Sequence, residues 1–569
     1  MRFVSFTSSS FCNFVSRHFS SLPKLRQLRR IPSRYRSRAI LQAQQVLTDY
    51  LHSTRSLSFD HAENISKNSL FSLSELISKV EFSPSNFFRN FQRFLRYHPI
   101  NEIEFFFESI GVPPSEINGF LPSHEFFLSE EGNILKIAGA LSVCGFPWNK
   151  LGTLYKEEIS IFSRSPEALT AQLREFRAVG FDSIAVSGIC LAFPFVLSGN
   201  DELSGEIDAL FDDLKRVFLD FGLASSVEWS TDAWYEICKK IRVFYDIGCE
   251  RGKMGELFGR RKNIFLEHTE GVLVQKVDYF CRFSVRREDV GLLLLQYPEI
   301  LHYDLESPVI SALDFLKHIG LSSEKLNSIA EQYPYVLGKN RLANVPHLMR
   351  AVNLHQWFFN KIMNGDHHLL INFVASDPDE DLEKEFKDSL ARFLTPKAQN
   401  LTIGKLNFLL GIGFGENLTT IKALSRIHGS RAELQERFDC LLRLGVEFTK
   451  LCKMVNRWPK ILNQNPDVIE QKVNFLCNDI GSSLQTLNAF PGYLCFDLEN
   501  RIKPRFRIHM WLKQMGLVTK NYSIASIIAD SEKKFIARLF NIHPAAPKQW
   551  LECFSCKNLG NSQQETTTT

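Results

Sequence analysis

The residues best suited to chemistry in this 569-residue chain lie towards its C-terminus. From Glu499 to Lys520 six basic side chains (Arg501, Lys503, Arg505, Arg507, Lys513 and Lys520) stand against a single acid, interleaved with Phe506, His509 and Trp511. Cations at this density neutralise phosphates and release counterions, which gives sequence-independent affinity for nucleic acid. In a helix Arg501 and Arg505 share one face while Lys503 and Arg507 share another, so the four cannot all point at one ligand. About half of them are expected to be solvated surface. Lys533 and Lys534, and Arg457 and Lys460 flanking Trp458-Pro459, are weaker candidates of the same kind, and Arg260-Arg261-Lys262 is a further basic run.

Other chemistries find little support. Cys553 and Cys556 form the only close cysteine pair among twelve, without the second pair of a zinc site or the βαβ pattern of a redox motif. His367-His368 lacks companion ligands at metal spacing, and Gly252-Lys253-Met254 lacks the hydroxyl of a phosphate loop. No G-x-x-x-x-G-K-[ST], H-E-x-x-H or G-x-S-x-G occurs. We therefore expect no catalytic residue, no metal and no cofactor, and a protein that is not an enzyme.

The first forty-eight residues are of a different kind. They hold nine Arg or Lys, many serines and no acid before Asp49, the composition of an organellar transit peptide. Arg17-His18-Phe19-Ser20-Ser21 resembles a plant-type mitochondrial cleavage pattern, with the cut near 19/20. This points to the mitochondrion (matrix), with the chloroplast as the alternative. The whole chain carries a formal charge of +4; loss of Arg2 and Arg17 leaves +2, so any nucleic-acid surface must be local rather than global. Apolar runs such as Leu292 to Leu295 fall far short of the roughly 20 residues of a membrane span.

The elements that must position these cations are repeated. An apolar residue four places before a glycine, followed by another apolar residue, recurs at Gly111, Gly145, Gly180, Gly222, Gly320, Gly413, Gly445 and Gly516; Cys477 with Gly481 keeps the first half of the pattern, and Ser284 holds the register without a glycine. Most intervals are near 35 residues. Such a glycine ends a helix in the left-handed conformation. Ser165-Pro166, Ser307-Pro308 and Asn465-Pro466 predict helix starts. A second element runs 14 residues from Gly180, Ser284, Gly320 and Gly445 to Pro194, Pro298, Pro334 and Pro459, each preceded by an aromatic residue and followed by an apolar pair. Proline stops that second helix; Pro122 and Pro491 do the same at shorter intervals. The period predicts stacked helix pairs sharing one core.

The aromatic-Pro-x-apolar-Leu ending resembles the mTERF family, the mitochondrial transcription termination factors and their plant organellar relatives. Glu499-Asn500-Arg501-Ile502-Lys503-Pro504-Arg505 is similar to the family's closing segment, and Trp511-Leu512, Gly516-Leu517, Ser531 to Phe535 and His543-Pro544 follow in family order. The resemblance implies an all-α superhelical solenoid of mTERF-type repeats, paired α-helices with short 3-10 segments. It further implies a mitochondrial nucleic-acid-binding protein regulating organellar gene expression, through transcription regulation or termination. Its partners would be organellar DNA or RNA, together with other organellar gene-expression proteins. RNA binding for intron splicing or transcript maturation is one alternative, and a protein-interaction scaffold without nucleic acid is another. The expected layout is a leader over 1–48, a helical lead-in over 49–100, the solenoid over 101–543 (degenerate at 227–267 and 340–400) and a polar tail over 544–569.

Overall fold

A computed structural model describes residues 28, 31–122, 125–371, 384–394, 399–518 and 522–554. The leader up to residue 27 with its cleavage point, Lys520 and Cys556 lie outside them. The described chain is helical, with one two-stranded antiparallel ribbon, Val309–Ser311 against Lys339–Arg341. Two compact units divide it at Val274/Gln275. No described helix is long and apolar enough to cross a membrane.

The glycine turns form as their pattern requires. Gly111, Gly145, Gly320, Gly413 and Gly445 all have φ between +90° and +106°. In each, the next residue's N–H reaches back to the carbonyl of the apolar residue five positions earlier, as from Val112 to Phe107 and from Val446 to Leu441. Ser284 takes the same turn at φ 56°. Both stretches that read as degenerate hold a turn as well. Gly248 (φ 99°) closes one, with Cys249 donating to Phe244; Asn353 (φ 58°) closes the other, with Leu354 donating to Met349. The first was hidden by its short distance from Gly222, the second because Asn, which tolerates this conformation, replaces Gly.

The proline corners are equally regular. Ser183–Ala192, Arg287–Gln296, Ser323–Gln332 and Phe448–Arg457 are all ten-residue helices. Each ends on an aromatic residue with φ near −130° and ψ near 60°, followed by a short 3-10 segment that begins at the proline. Pro491 makes the same corner; the two residues after Pro122 lie outside the described ones. Ser165 and Asn465 immediately precede helices that begin at a proline, and Ser165 caps its helix through its hydroxyl. Ser307-Pro308 does not start a helix: β-branched Val309 and Ile310 enter the ribbon first, and the helix begins at Ala312 under a Ser311 cap.

Within the second unit the pairs stack in two rows. The first helices Gln399–Gly411, Arg431–Arg443 and Pro466–Asn474 pack in succession, as do the second helices Leu418–Leu424, Phe448–Arg457 and Gln485–Ala489. In the first unit Ser183–Ala192 lies so close to Thr231–Asp246 that a Cβ on Gly188 would sit 2.4 Å from the Trp234 Cβ. The described helices begin earlier and end later than composition suggests. Ser33–Asp49 is a helix with Ala39, Ala43, Val46 and Leu47 buried at helical spacing, and Ala546 and Trp550 close the C-terminal core.

One recurring contact joins the two kinds of corner. Eight residues before the left-handed turn residue, a long polar side chain donates to a carbonyl at the next corner. Gln172 reaches Val196 O (2.9 Å), Lys240 reaches Phe265 O (2.6 Å), and Lys276 reaches Tyr303 O (2.5 Å). Lys405 likewise reaches Ile427 O (3.1 Å), and Arg437 reaches Leu462 O (3.0 Å). Lys472 reaches Leu494 O (2.9 Å) from nine residues before Gly481, because a wide π-type turn at Phe475–Asp479 adds one residue. Burial pushes the Lys240, Lys276 and Lys472 ammonium groups below their ordinary range. A helix end leaves carbonyls without helical donors, and a buried carbonyl needs a partner. Lys472→Ala is expected to lower the stability of the full chain by roughly 1–3 kcal/mol in denaturant unfolding, and Lys472→Arg by much less. Equal loss from both would show that packing, not the hydrogen bond, is what Lys472 supplies.

Candidate nucleic-acid interface

The basic C-terminal segment folds as a π-type turn, Leu498–Ile502, leading into the helix Lys503–Gln514, with Pro504 at a first-turn position where its missing N–H costs nothing. Asp497 caps the turn by accepting from Asn500 N at 2.5 Å. A short helix, Ile524–Ile528, and then Glu532–Ile542 complete the packing.

The two faces of the basic segment separate as their spacing requires, but the Arg501/Arg505 face turns inward. Arg505 is 2% exposed. Its guanidinium donates to Ile528 O (3.1 Å), Asp530 O (2.6 Å) and the Glu532 carboxylate (2.7 Å), and lies over the Phe535 ring. Arg501, one turn earlier, donates to Ile528 O, Ala529 O and Asp530 O and covers Phe496. Glu532 in turn accepts from the Trp550 indole at 2.9 Å. The planar fork of Arg matches such a row of carbonyls at the end of a short helix. Arg505 therefore has no surface to offer a phosphate, and Arg501 is largely committed. These two expected contacts are corrected to structural staples.

The other candidates face solvent to differing degrees. Lys503 is half-buried and paired with Glu499. Arg507, Lys533, Lys534, Arg457 and Lys460 are exposed and have no ion-pair partner among the described residues. Arg457 and Lys460 bracket a proline corner whose Trp458 is 41% exposed, so a flat aromatic surface lies between two cations. Lys422 on the neighbouring second helix and Arg426 in the turn after it are exposed as well, a continuation that no single motif marks. The Arg260-Arg261-Lys262 run is locally engaged: Arg260 pairs with Glu256, and Lys262 donates to Phe221 O at 2.7 Å.

The weak echoes of other chemistry are explained by packing. In the Gly252-Lys253-Met254 loop, the Gly252 N–H and the nearby Gly255 N–H are taken by the buried carboxylate of Asp213, at 2.7 and 2.6 Å, with Tyr245 Oη on the same group. Asp213 stands nine residues before Gly222, just ahead of a π-type turn at Arg216–Asp220. It thus occupies the place that Lys472 fills elsewhere, with opposite sign. His367 packs against the Tyr297 ring at a tilt, with centroids 4.7 Å apart, and meets Glu299 at 3.0 Å.

Short helix pairs with alternating glycine and proline corners, closed by buried polar staples and carrying exposed cations on a few surface positions, define a class of helical-repeat protein. The mTERF family model matches residues 230–352 and 399–536. The chain is 50% identical over 543 residues to the mitochondrial transcription termination factor MTEF18 of Arabidopsis thaliana, covering 95% of this chain and 97% of the relative. It is 24% identical over 290 residues to the chloroplastic termination factor MTERF8 and 25% identical over 275 residues to the mitochondrial termination factor MTERF15, both of Arabidopsis thaliana. It spans about half the length of each of these two. The chain belongs to the mTERF family. The mitochondrial compartment expected from the leader agrees with that of the relative matched along nearly its whole length.

Arg505→Ala is expected to destabilise the protein by roughly 2–4 kcal/mol, since it leaves buried carbonyls without a donor. Arg507→Ala should change stability by less than about 0.5 kcal/mol. Thermal and denaturant unfolding of the two variants side by side checks the assignment, and comparable losses would sink it.

Proposed function

We propose that this protein is a mitochondrial nucleic-acid-binding regulator of organellar gene expression, acting on transcription or its termination. The observation that carries this reading is the 50% identity along 95% of the chain to a relative named a mitochondrial transcription termination factor. Within it, Arg457, Lys460, Arg507, Lys533 and Lys534 are the phosphate contacts, with Lys503 contributing at its edge. Exposed unpaired cations serve this role because each neutralised phosphate releases counterions. They fix position along a backbone rather than reading bases. Trp458 offers a face on which an unstacked base or a sugar can rest.

The triple variant Arg457→Gln, Lys460→Gln, Arg507→Gln tests the reading. With the full chain and a labelled DNA duplex or RNA strand, affinity should fall about tenfold or more, and the slope of log affinity against log salt should become shallower by about 2 to 3. Unchanged affinity and slope on both nucleic acids would exclude these positions. Crosslinking in isolated mitochondria, followed by sequencing of the attached strand, identifies DNA or RNA as the target.

A further inference from the structure

A second cationic face lies in the first unit, outside the segments that match the family model. The helix Phe87–Tyr97 turns Phe87, Phe91 and Leu95 into the core, each at most 2% exposed. Arg89, Arg93 and Arg96 are exposed on the opposite side. At 3.6 residues per turn the three fall within about 60° of one another, over about 10 Å of helix axis. The helix contains no acid, and among the described residues none of the three arginines has a hydrogen-bond, ion-pair or ring partner. Asn90 and Gln92, also exposed, add hydrogen-bonding side chains beside them.

The face continues onto a neighbour. Ser33–Asp49 packs against Phe87–Tyr97 and exposes Arg34 and Arg38. Rings link their N-terminal ends, Tyr35 to Phe82 at 5.8 Å and Phe82 to Phe87 at 5.5 Å. Beside that junction opens a cavity of about 700 Å³ lined by Arg34, Tyr35, Lys79 and Phe82 among others, with Glu81 its one acid. Cleavage near 19/20 would leave all of these residues in the mature chain.

We propose that Arg89, Arg93 and Arg96, extended by Arg34 and Arg38, form a second nucleic-acid contact that tracks a phosphate backbone. Three aligned guanidinium groups over about 10 Å match the roughly three phosphates that one strand presents over that length. Arginine forks hold phosphate with two parallel hydrogen bonds, where lysine acts as a point charge. An anionic membrane is the poorer partner, because the helix's own apolar stripe is consumed by the core and cannot insert. This contact goes beyond the C-terminal one and stands or falls separately.

The test uses the full chain with Arg89→Gln, Arg93→Gln and Arg96→Gln, made both in the natural background and in one already carrying the three C-terminal substitutions. Gln matches Arg in helix propensity, so the exposed helix is retained. A labelled single-stranded RNA and a labelled DNA duplex are titrated across salt. Affinity for at least one should fall about tenfold, with the salt slope shallower by about 2, while Arg→Lys at all three positions should keep the slope. Unchanged affinity and slope in both backgrounds overturns the proposal. So does arginine-dependent binding seen only with phosphatidylserine vesicles.

Discussion

The fold depends on satisfying the carbonyls that its own corners leave open. A helix of ten residues ends abruptly when proline follows, and the ensuing 3-10 segment points carbonyl oxygens into the gap between repeats. Once the next pair is stacked, the carbonyls reached by the staples are partly or fully buried. The side chain that reaches across comes from the first helix, and it is polar eight residues before the left-handed turn, or nine where a π-type turn adds a residue. Gln172, Lys276, Arg437 and Lys472 differ in charge and length, yet each ends on a corner carbonyl. What the position requires is a donor with reach; a charge is only one way to supply it.

This requirement governs where the protein's positive charge can act. A buried lysine with a lowered proton affinity, or an arginine forked over three carbonyls, adds to the formal charge of the chain without adding to its surface field. The C-terminal run of basic residues illustrates the point. Alternate positions of the same helix serve opposite purposes: Arg505 closes the end of Ile524–Ile528, while Arg507, two residues on, is exposed. Charge density along a sequence therefore overstates the surface available to phosphate, and the helical phase must be known before the residues can be sorted.

Much of the architecture was legible because it rests on backbone chemistry with few solutions. Glycine in the left-handed turn and proline at the corner are dictated by sterics, so their spacing of 14 residues corresponds to a ten-residue helix and its two turns. The failures have equally local causes. Asn353 performs a glycine's task, Gly248 lies unusually near the preceding turn, and Val309-Ile310 pull a proline-marked helix start into a ribbon. The candidate site was less legible. Whether a basic side chain points at a carbonyl 27 residues away, as Arg501 does towards Ile528, depends on tertiary packing that no local spacing encodes. The arginine face at Phe87–Tyr97 was readable as an amphipathic helix, but it carries no repeat signature to draw attention to it.

The exposed cations, once separated from the staples, are not spread evenly over the repeat, and some have partners of their own: Lys450 pairs with Glu447 and Lys453 lies over the Tyr333 ring. The first helix Arg431–Arg443 exposes Glu433 and Glu436 beside its arginines, whereas the second helix Phe448–Arg457 exposes Lys450, Lys453 and Arg457 with only Glu447 at its start. Its neighbour in the same row, Leu418–Leu424, adds Lys422. Within this row the exposed positive charge lies on Leu418–Leu424 and Phe448–Arg457 and their corners, Gln485–Ala489 carrying none, while the first helices stay mixed. A nearly neutral chain can in this way present a directional field within a Debye length of one face. The buried staples stay out of that field, because their donors are spent on corner carbonyls inside the repeat.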